Sequence, residues 1–171
     1  LSNLSIYIHP PRIAADDESE MSDDDSAMAL SANGEVVIDP MGNTLSSNAL
    51  WMMELKNPLA GGTVQWKTEL VRLKHINTGK YLCMVRDKNA ESDLDPHVLT
   101  VSTNPHDKGT LFSLHELHSS GAHLMNQRPV QLSHGHTYLE RSEFREISNA
   151  THYVCKGSKS RAQAVNLFIT R

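Results

Sequence analysis

Apolar and polar residues alternate strictly through Val71-Arg72-Leu73-Lys74-His75, and Ile76-Asn77-Thr78-Gly79-Lys80 separates this run from Tyr81-Leu82. A period of two places Val71, Leu73 and His75 on one face and Arg72 and Lys74 on the other, which predicts a β-hairpin with Gly79 at positive φ in its turn. The same wording returns 59 residues later as Val130-Gln131-Leu132-Ser133-His134-Gly135-His136-Thr137-Tyr138-Leu139, with two residues fewer in the turn. A fainter copy is Ile6-Tyr7-Ile8-His9. Recurrence of this kind marks an internal repeat.

Other landmarks keep step with it. Leu50-Trp51, Leu111-Phe112 and Leu167-Phe168 each set an aromatic after a leucine, and a β-branched run precedes each pair. Val37 to Trp51, Leu99 to Phe112 and Val154 to Phe168 are 14, 13 and 14 residues apart. Helical periodicity is scarce. Each repeat supplies four short strands, so the chain is expected to be all-β: a β-trefoil of three four-stranded pseudo-repeats, with a six-stranded barrel capped by three hairpins. The repeats are placed at about 4–60, 70–120 and 130–171, with Trp51, Phe112 and Phe168 at equivalent core positions. Leu4–Ile8, Gly34–Ile38 and Ser47–Leu55 are strands of the first repeat, and Trp66 is expected to pack beneath the central hairpin. Residues 12–32, rich in Asp, Ser and Ala, bury too little apolar surface to order and are read as a mobile acidic loop. Glu140 to Ala150 and Lys156 to Arg161 read as polar surface turns.

The 171 residues suit a single domain able to form a core without staples. Its net charge of −4 is dominated by seven acids between Asp16 and Asp25; without them, 13 acidic residues face 16 basic ones. That near balance lacks the strong positive field of a nucleic-acid binder. No apolar run approaches the roughly 20 residues of a membrane helix. Cys83 and Cys155 fall in or beside strands of different repeats and are expected to be buried thiols. Leu1 in place of a methionine suggests a segment of a larger chain.

Candidate chemistry adds little. Of the ten histidines, His115-Glu116-Leu117-His118 lacks the i, i+4 spacing of a helical zinc motif. His75 and His134 hold matching repeat positions, which suits packing and turn hydrogen bonds better than metal ligation. Nucleophile elbows and P-loops are absent, so neither enzyme activity, a metal nor a cofactor is expected. Arg72, Lys74, Lys80, Arg86 and Lys88 gather around the central hairpin as a basic face.

Ser47-Asn48-Ala49-Leu50-Trp51, Gly61-Gly62, Trp66, Leu70 to Leu82, Leu99-Thr100-Val101-Ser102, Leu111-Phe112-Ser113-Leu114 and Pro129 to Leu139 together resemble the MIR-containing β-trefoil of inositol trisphosphate and ryanodine receptors. Asn166-Leu167-Phe168-Ile169-Thr170-Arg171 resembles the ryanodine-receptor ending, and the likeness extends from Ile6 to Arg171. The resemblance implies a non-catalytic regulatory module on the cytosolic face of the endoplasmic reticulum or a related calcium store. Its partners would be an amino-terminal trefoil and a helical domain of the same channel chain, tetrameric only at full length. Membrane contact and nucleic acid are not expected of the module.

The chain departs from that family after Val36-Val37-Ile38. Inositol trisphosphate receptors carry an arginine-flanked Thr-Thr motif there; this sequence has Asp39-Pro40-Met41-Gly42-Asn43. Each lost charge-assisted hydrogen bond forfeits roughly 1.5 to 3 kcal/mol, so two lost arginines imply a deficit of about two to four decades in affinity. Gly42, Asn43 and Thr44 are left as a weak anion loop, with inositol phosphate bound only weakly by the domain alone. Arg72 and Lys74 are the expected interdomain contact. An alternative resemblance is to the MIR domains of lumenal protein O-mannosyltransferases and chaperone-associated proteins, which implies recognition of a glycan or peptide.

Overall fold

The computed structural model describes residues 4–9, 26–40, 47–57, 69–86, 88, 97–116, 129–147, 150–158, 161, 164 and 167–170. Twelve strands run in three groups of four. The first holds β1 (Leu4–His9), β2 (Ser26–Leu30), β3 (Val36–Pro40) and β4 (Trp51–Leu55). The second holds β5 (Leu70–His75), β6 (Tyr81–Arg86), β7 (His97–Ser102) and β8 (Phe112–Glu116). The third holds β9 (Pro129–His134), β10 (Thr137–Ile147), β11 (Ala150–Ser158) and β12 (Leu167–Thr170). Two short 3-10 turns, Ser47–Ala49 and Lys108–Thr110, lead into β4 and β8.

The outer strands of the three groups close on one another. β1 pairs with β4, β4 with β5, β5 with β8, β8 with β9, β9 with β12, and β12 returns to β1, all antiparallel. This is a six-stranded barrel with no free edge among its members. The inner strands form the hairpins β2–β3, β6–β7 and β10–β11, and β11 bridges to β3 and β7 across the cap. The fold is therefore a β-trefoil, as the threefold sequence pattern predicts.

Alternation is carried through into burial. Val71, Leu73 and His75 are buried, whereas Arg72 and Lys74 lie half-exposed on the opposite face of β5. One apolar cluster draws on all three groups, including Met28, Ile38, Trp51, Leu73, Leu82, Phe112, Leu114, Leu132 and Leu139. Trp51 and Phe112 are completely buried. Phe168 has its backbone opposite His9, just as Trp51 lies opposite His75, so the register relates the two positions. Gly79 and Gly135 adopt φ of 66° and 59° in the two sister hairpin turns, a region that costs any residue with a Cβ about 1 kcal/mol.

Two sequence expectations need correction. The loop placed at 12–32 gives way at Ser26 to strand β2, in which Ala27, Met28, Ala29 and Leu30 are all buried against the cap. Small and flexible side chains there fit between β3 and the barrel, although their β-propensity is poor; residues 12–25 lie outside the described residues. The surface turns placed at Glu140–Ala150 and Lys156–Arg161 are instead strand over most of the first and over Lys156–Ser158 of the second. β10 continues to Ile147 and β11 restarts at Ala150, paired from Tyr138↔Ser158 through Ile147↔Ala150 with a bulge between Arg141 and Phe144. Backbone pairing holds these polar residues in a strand whatever their side chains, and the bulge interrupts the alternation that would have revealed it. Trp66 lies outside the described residues.

Candidate functional site on the outer barrel face

The repeat histidines are structural. His75 Nε2 lies 2.9 Å from the Asn48 carbonyl and Nδ1 3.0 Å from Thr78 Oγ1. A carbonyl only accepts, so Nε2 carries the proton and Nδ1 accepts from the Thr78 hydroxyl, which suits the neutral ring. Its centroid is 5.0 Å from that of Trp51. His134 repeats the arrangement, donating from Nδ1 to the Leu111 carbonyl at 2.8 Å with its ring 6.2 Å from Phe112. These bonds tie each hairpin to the segment ahead of the preceding aromatic strand.

Burial pushes the His75 pKa below its ordinary 6.5, against a smaller opposing effect of the Asn48 carbonyl. His115 is lowered too, by burial and then by the charge of Arg161. Both rings stay neutral when folded and take up protons near pH 6.5 when unfolded. Stability contributed by their neutral forms is therefore complete above about pH 6.5 and is lost as pH falls toward the depressed folded values. Urea midpoints should drop between about pH 7.5 and about pH 5, and His75→Gln should flatten that drop. A pH-independent midpoint in the unsubstituted chain would contradict the assignment.

The residues expected to make interdomain contact lie on the outer face of β4 and β5. Arg72, opposite Glu54, donates from Nε to the Pro105 carbonyl at 2.7 Å and from Nη1 to the Lys56 carbonyl at 3.4 Å. Lys74 sits 3.8 Å from the Glu54 carboxylate, and its ammonium is 5.5 Å from the centroid of Tyr81, its neighbour across the turn. Arg72 thus fastens strand β5 to the β7–β8 loop, and Lys74 is neutralised locally. Gly42, Asn43 and Thr44 lie outside the described residues.

One repeat later the same positions hold different chemistry. His115 stands opposite Gln131 where Glu54 stands opposite Arg72, and Tyr138 flanks Ser133 as Tyr81 flanks Lys74. Leu114 and Leu132 point into the core, so the intervening His115, Gln131 and Ser133 face outward. Gln131 is 4% exposed and Ser133 fully buried. His115 Nε2 meets Ser133 Oγ at 2.7 Å, and the His115 ring packs 5.4 Å from that of Tyr138. Arg161, exposed in the β11–β12 connection, donates from Nε to Gln131 Oε1 at 3.1 Å. The strand-to-loop tether is thereby kept but reversed: in the second repeat the strand supplies the arginine, and in the third the loop does.

In the sequence Arg161 reads as part of a surface turn and His115 as part of a motif without zinc spacing. Loop residues have no periodicity to betray them, and only the equivalence of Glu54 and His115, 61 residues apart, points to this face. Among the described residues no group of three His, Cys, Asp or Glu side chains is placed to hold a metal. Cys83 is a buried free thiol whose pKa is raised by burial and by Asp107. No helix among the described residues is long and apolar enough to cross a membrane.

Comparison with known proteins agrees with this architecture. An SDF2-like protein from Arabidopsis thaliana superposes with a TM-score of 0.67 at 16% identity, over 99% of this chain and 96% of that one. A Caenorhabditis elegans protein of unknown function gives 0.72 at 15% identity, over 99% and 94%. A search of curated proteins finds no match. The profile of the MIR domain matches residues 19–129, which is more than half of the sequence, and the chain therefore belongs to the MIR domain family.

Proposed function

We infer that the chain is a non-catalytic recognition module that presents the polar outer face of a rigid trefoil to a glycan or peptide, as its alternative resemblance to lumenal MIR proteins implies. The observation that carries this reading is the MIR match together with near full-length correspondence to an SDF2-like protein. The arrangement of the side chains supports it: the repeat histidines and Arg72 serve internal bonds, while Glu54, Lys74 and Tyr138 stay half-exposed on an outer barrel face held in shape by strands paired on both sides. Such preorganisation favours binding, because little side-chain freedom is lost when a ligand docks. Secretory-pathway glycans or peptides in the endoplasmic reticulum lumen are the partners this reading proposes. Probing the purified chain against a glycan array and a peptide library should show selective retention of a small subset. Retention of neither class would remove the reading.

The second reading is a regulatory module of an intracellular calcium-release channel on the cytosolic side, contacting an amino-terminal trefoil and a helical domain. It is supported by the resemblance through Ser47–Trp51 and Leu70–Leu82. Gating would follow from differential contacts of rigid trefoils in two channel states. Disrupting the Arg72 and Lys74 face in a full-length channel should then shift its open probability, and unchanged gating would count against this reading. Submillimolar inositol trisphosphate binding by the isolated chain would contradict the loss of the arginine motif.

A further inference from the structure

The cap hairpins differ in what covers their outer faces. Met28, Leu30, Val36 and Ile38 of β2–β3, and Leu82, Met84 and Leu99 of β6–β7, belong to the barrel core, so the residues between them face the other way. On β2–β3 the outward cross-strand pair Ala29↔Val37 is buried and packs with Ala49 of the 3-10 turn before β4. On β6–β7 the matching turn before β8 reaches as far as Cys83, since a Cβ on Gly109 would lie 2.8 Å from the Cys83 sulfur. The next outward pair toward the hairpin tip, Val85↔Val98, is 39% and 36% exposed. These are two of the three exposed large apolar residues among the described residues, and strand pairing sets them side by side with Cβ atoms about 4.5–5.5 Å apart.

Bases surround this valine shelf. Arg86 and Lys88 follow Val85 toward the tip and are exposed, Lys108 is exposed in the turn beside Gly109, and Lys156 holds the register position opposite Val98 on β11. Two acids stand among them: Asp107, whose carboxylate already accepts from Ser102 and Asn104, and Glu140, at the register position opposite Lys156. Four bases to two acids leave the rim positive. We infer that Val85 and Val98 form a docking shelf for an acidic segment of another polypeptide, whose apolar side chains cover the valine pair while its carboxylates meet the basic rim. This rests on the recognition reading above and selects peptide over glycan, because valine methyl groups gain from apolar contact and offer a sugar hydroxyl no partner. Two valines bury too little apolar area to hold a membrane surface. The rim charges choose the partner and speed its encounter, and the paired strands beneath keep the shelf in shape before it arrives.

The test is titration of the chain, followed by amide chemical shifts, with acetyl-Asp-Glu-Val-Leu-Val-Glu-Asp-amide, with the same peptide carrying Lys for every acid, and with one carrying Ser for every apolar residue. The acidic apolar peptide should shift Val85, Val98 and Lys108 and bind at least about tenfold more tightly than either control, with an affinity that falls as salt is raised. Val85→Thr combined with Val98→Thr keeps the β-branched shape and should weaken it about tenfold. Lys88→Glu combined with Lys108→Glu should weaken it at low salt and remove most of the salt dependence. All four side chains are exposed, so both variants should keep the native spectrum and urea midpoint. A midpoint that drops sharply in the threonine variant would show that this chain already covers its own valines, and would overturn the shelf. So would a dimer of the chain that the threonine variant abolishes, or tighter binding to equimolar phosphatidylserine and phosphatidylcholine vesicles than to the peptide. Affinity for the acidic peptide insensitive to both variants would overturn this site and leave the recognition reading standing, whereas an array and a library without one selective binder would overturn both.

Discussion

Trp51→Ala is expected to leave the domain largely unfolded at room temperature. The indole is fully buried and is the largest side chain in the core. Truncating a buried aromatic costs about 3–5 kcal/mol through lost contacts and the cavity left behind. The indole also has a specific bond: Nε1 donates to the Met28 carbonyl at 2.8 Å, which anchors the cap strand β2 to the barrel. Without that donor a buried carbonyl is orphaned, at a cost of about 1–3 kcal/mol. Against a typical total of about 5–15 kcal/mol for a domain, these losses consume most of the margin. Trp51→Phe keeps much of the ring volume and should isolate the hydrogen-bond loss. Urea denaturation followed by circular dichroism checks both variants, and an alanine variant whose midpoint stays near that of the parent would refute the assigned role.

Gly109→Ala should also be clearly destabilising, for a different reason. Gly109 lies in the 3-10 turn before β8, and its φ is not in the left-handed region. The obstacle is space: an added Cβ would collide with the Met84 carbonyl oxygen and lie 2.8 Å from Cys83 Sγ. Backbone of a central hairpin strand cannot step aside as a side-chain tip can, so the turn itself must move. That would disturb Thr110, which is fully buried and whose hydroxyl has the carbonyls of Asp107 and Pro105 within reach at 2.7 and 2.9 Å. Overpacking of this kind costs about 1–3 kcal/mol, and the rigid obstacle puts this case at the upper end. Gly157→Ala is the useful comparison, since its Cβ would meet side-chain atoms of Thr137, His97 and Met84 at 2.6, 2.7 and 3.1 Å. It should destabilise less, and the reverse order in urea titrations would show that the Met84 backbone yields.

How much of this was legible depended on what kind of residue bore the signal. Val71, Leu73 and His75 announce a half-buried strand because polar neighbours separate them, and their echo at Val130, Leu132 and His134 announces the threefold plan. Ala27-Met28-Ala29-Leu30 announces nothing, since a fully buried strand has no polar alternation and the acidic run before it masks its apolar content. The matching places of His75 and His134 were evident, but not the carbonyls they grip, which come from segments 23 and 27 residues away. Arg161 was least visible of all. Its significance depends on a tether to Gln131 across 30 residues, and no local pattern encodes a contact of that kind.

The closing seam of the barrel has a consequence for how the molecule is made. Tyr7 pairs with Thr170 and His9 with Phe168, so the earliest strand must wait for the latest before its second edge is covered. Hairpins such as β2–β3 can zip as soon as they leave the ribosome, whereas the ring stays open until synthesis has passed residue 170. Contacts so distant in sequence are slow to form. During that interval the nascent chain exposes an unpaired strand, and this is the moment at which a holding chaperone would be of most use to it.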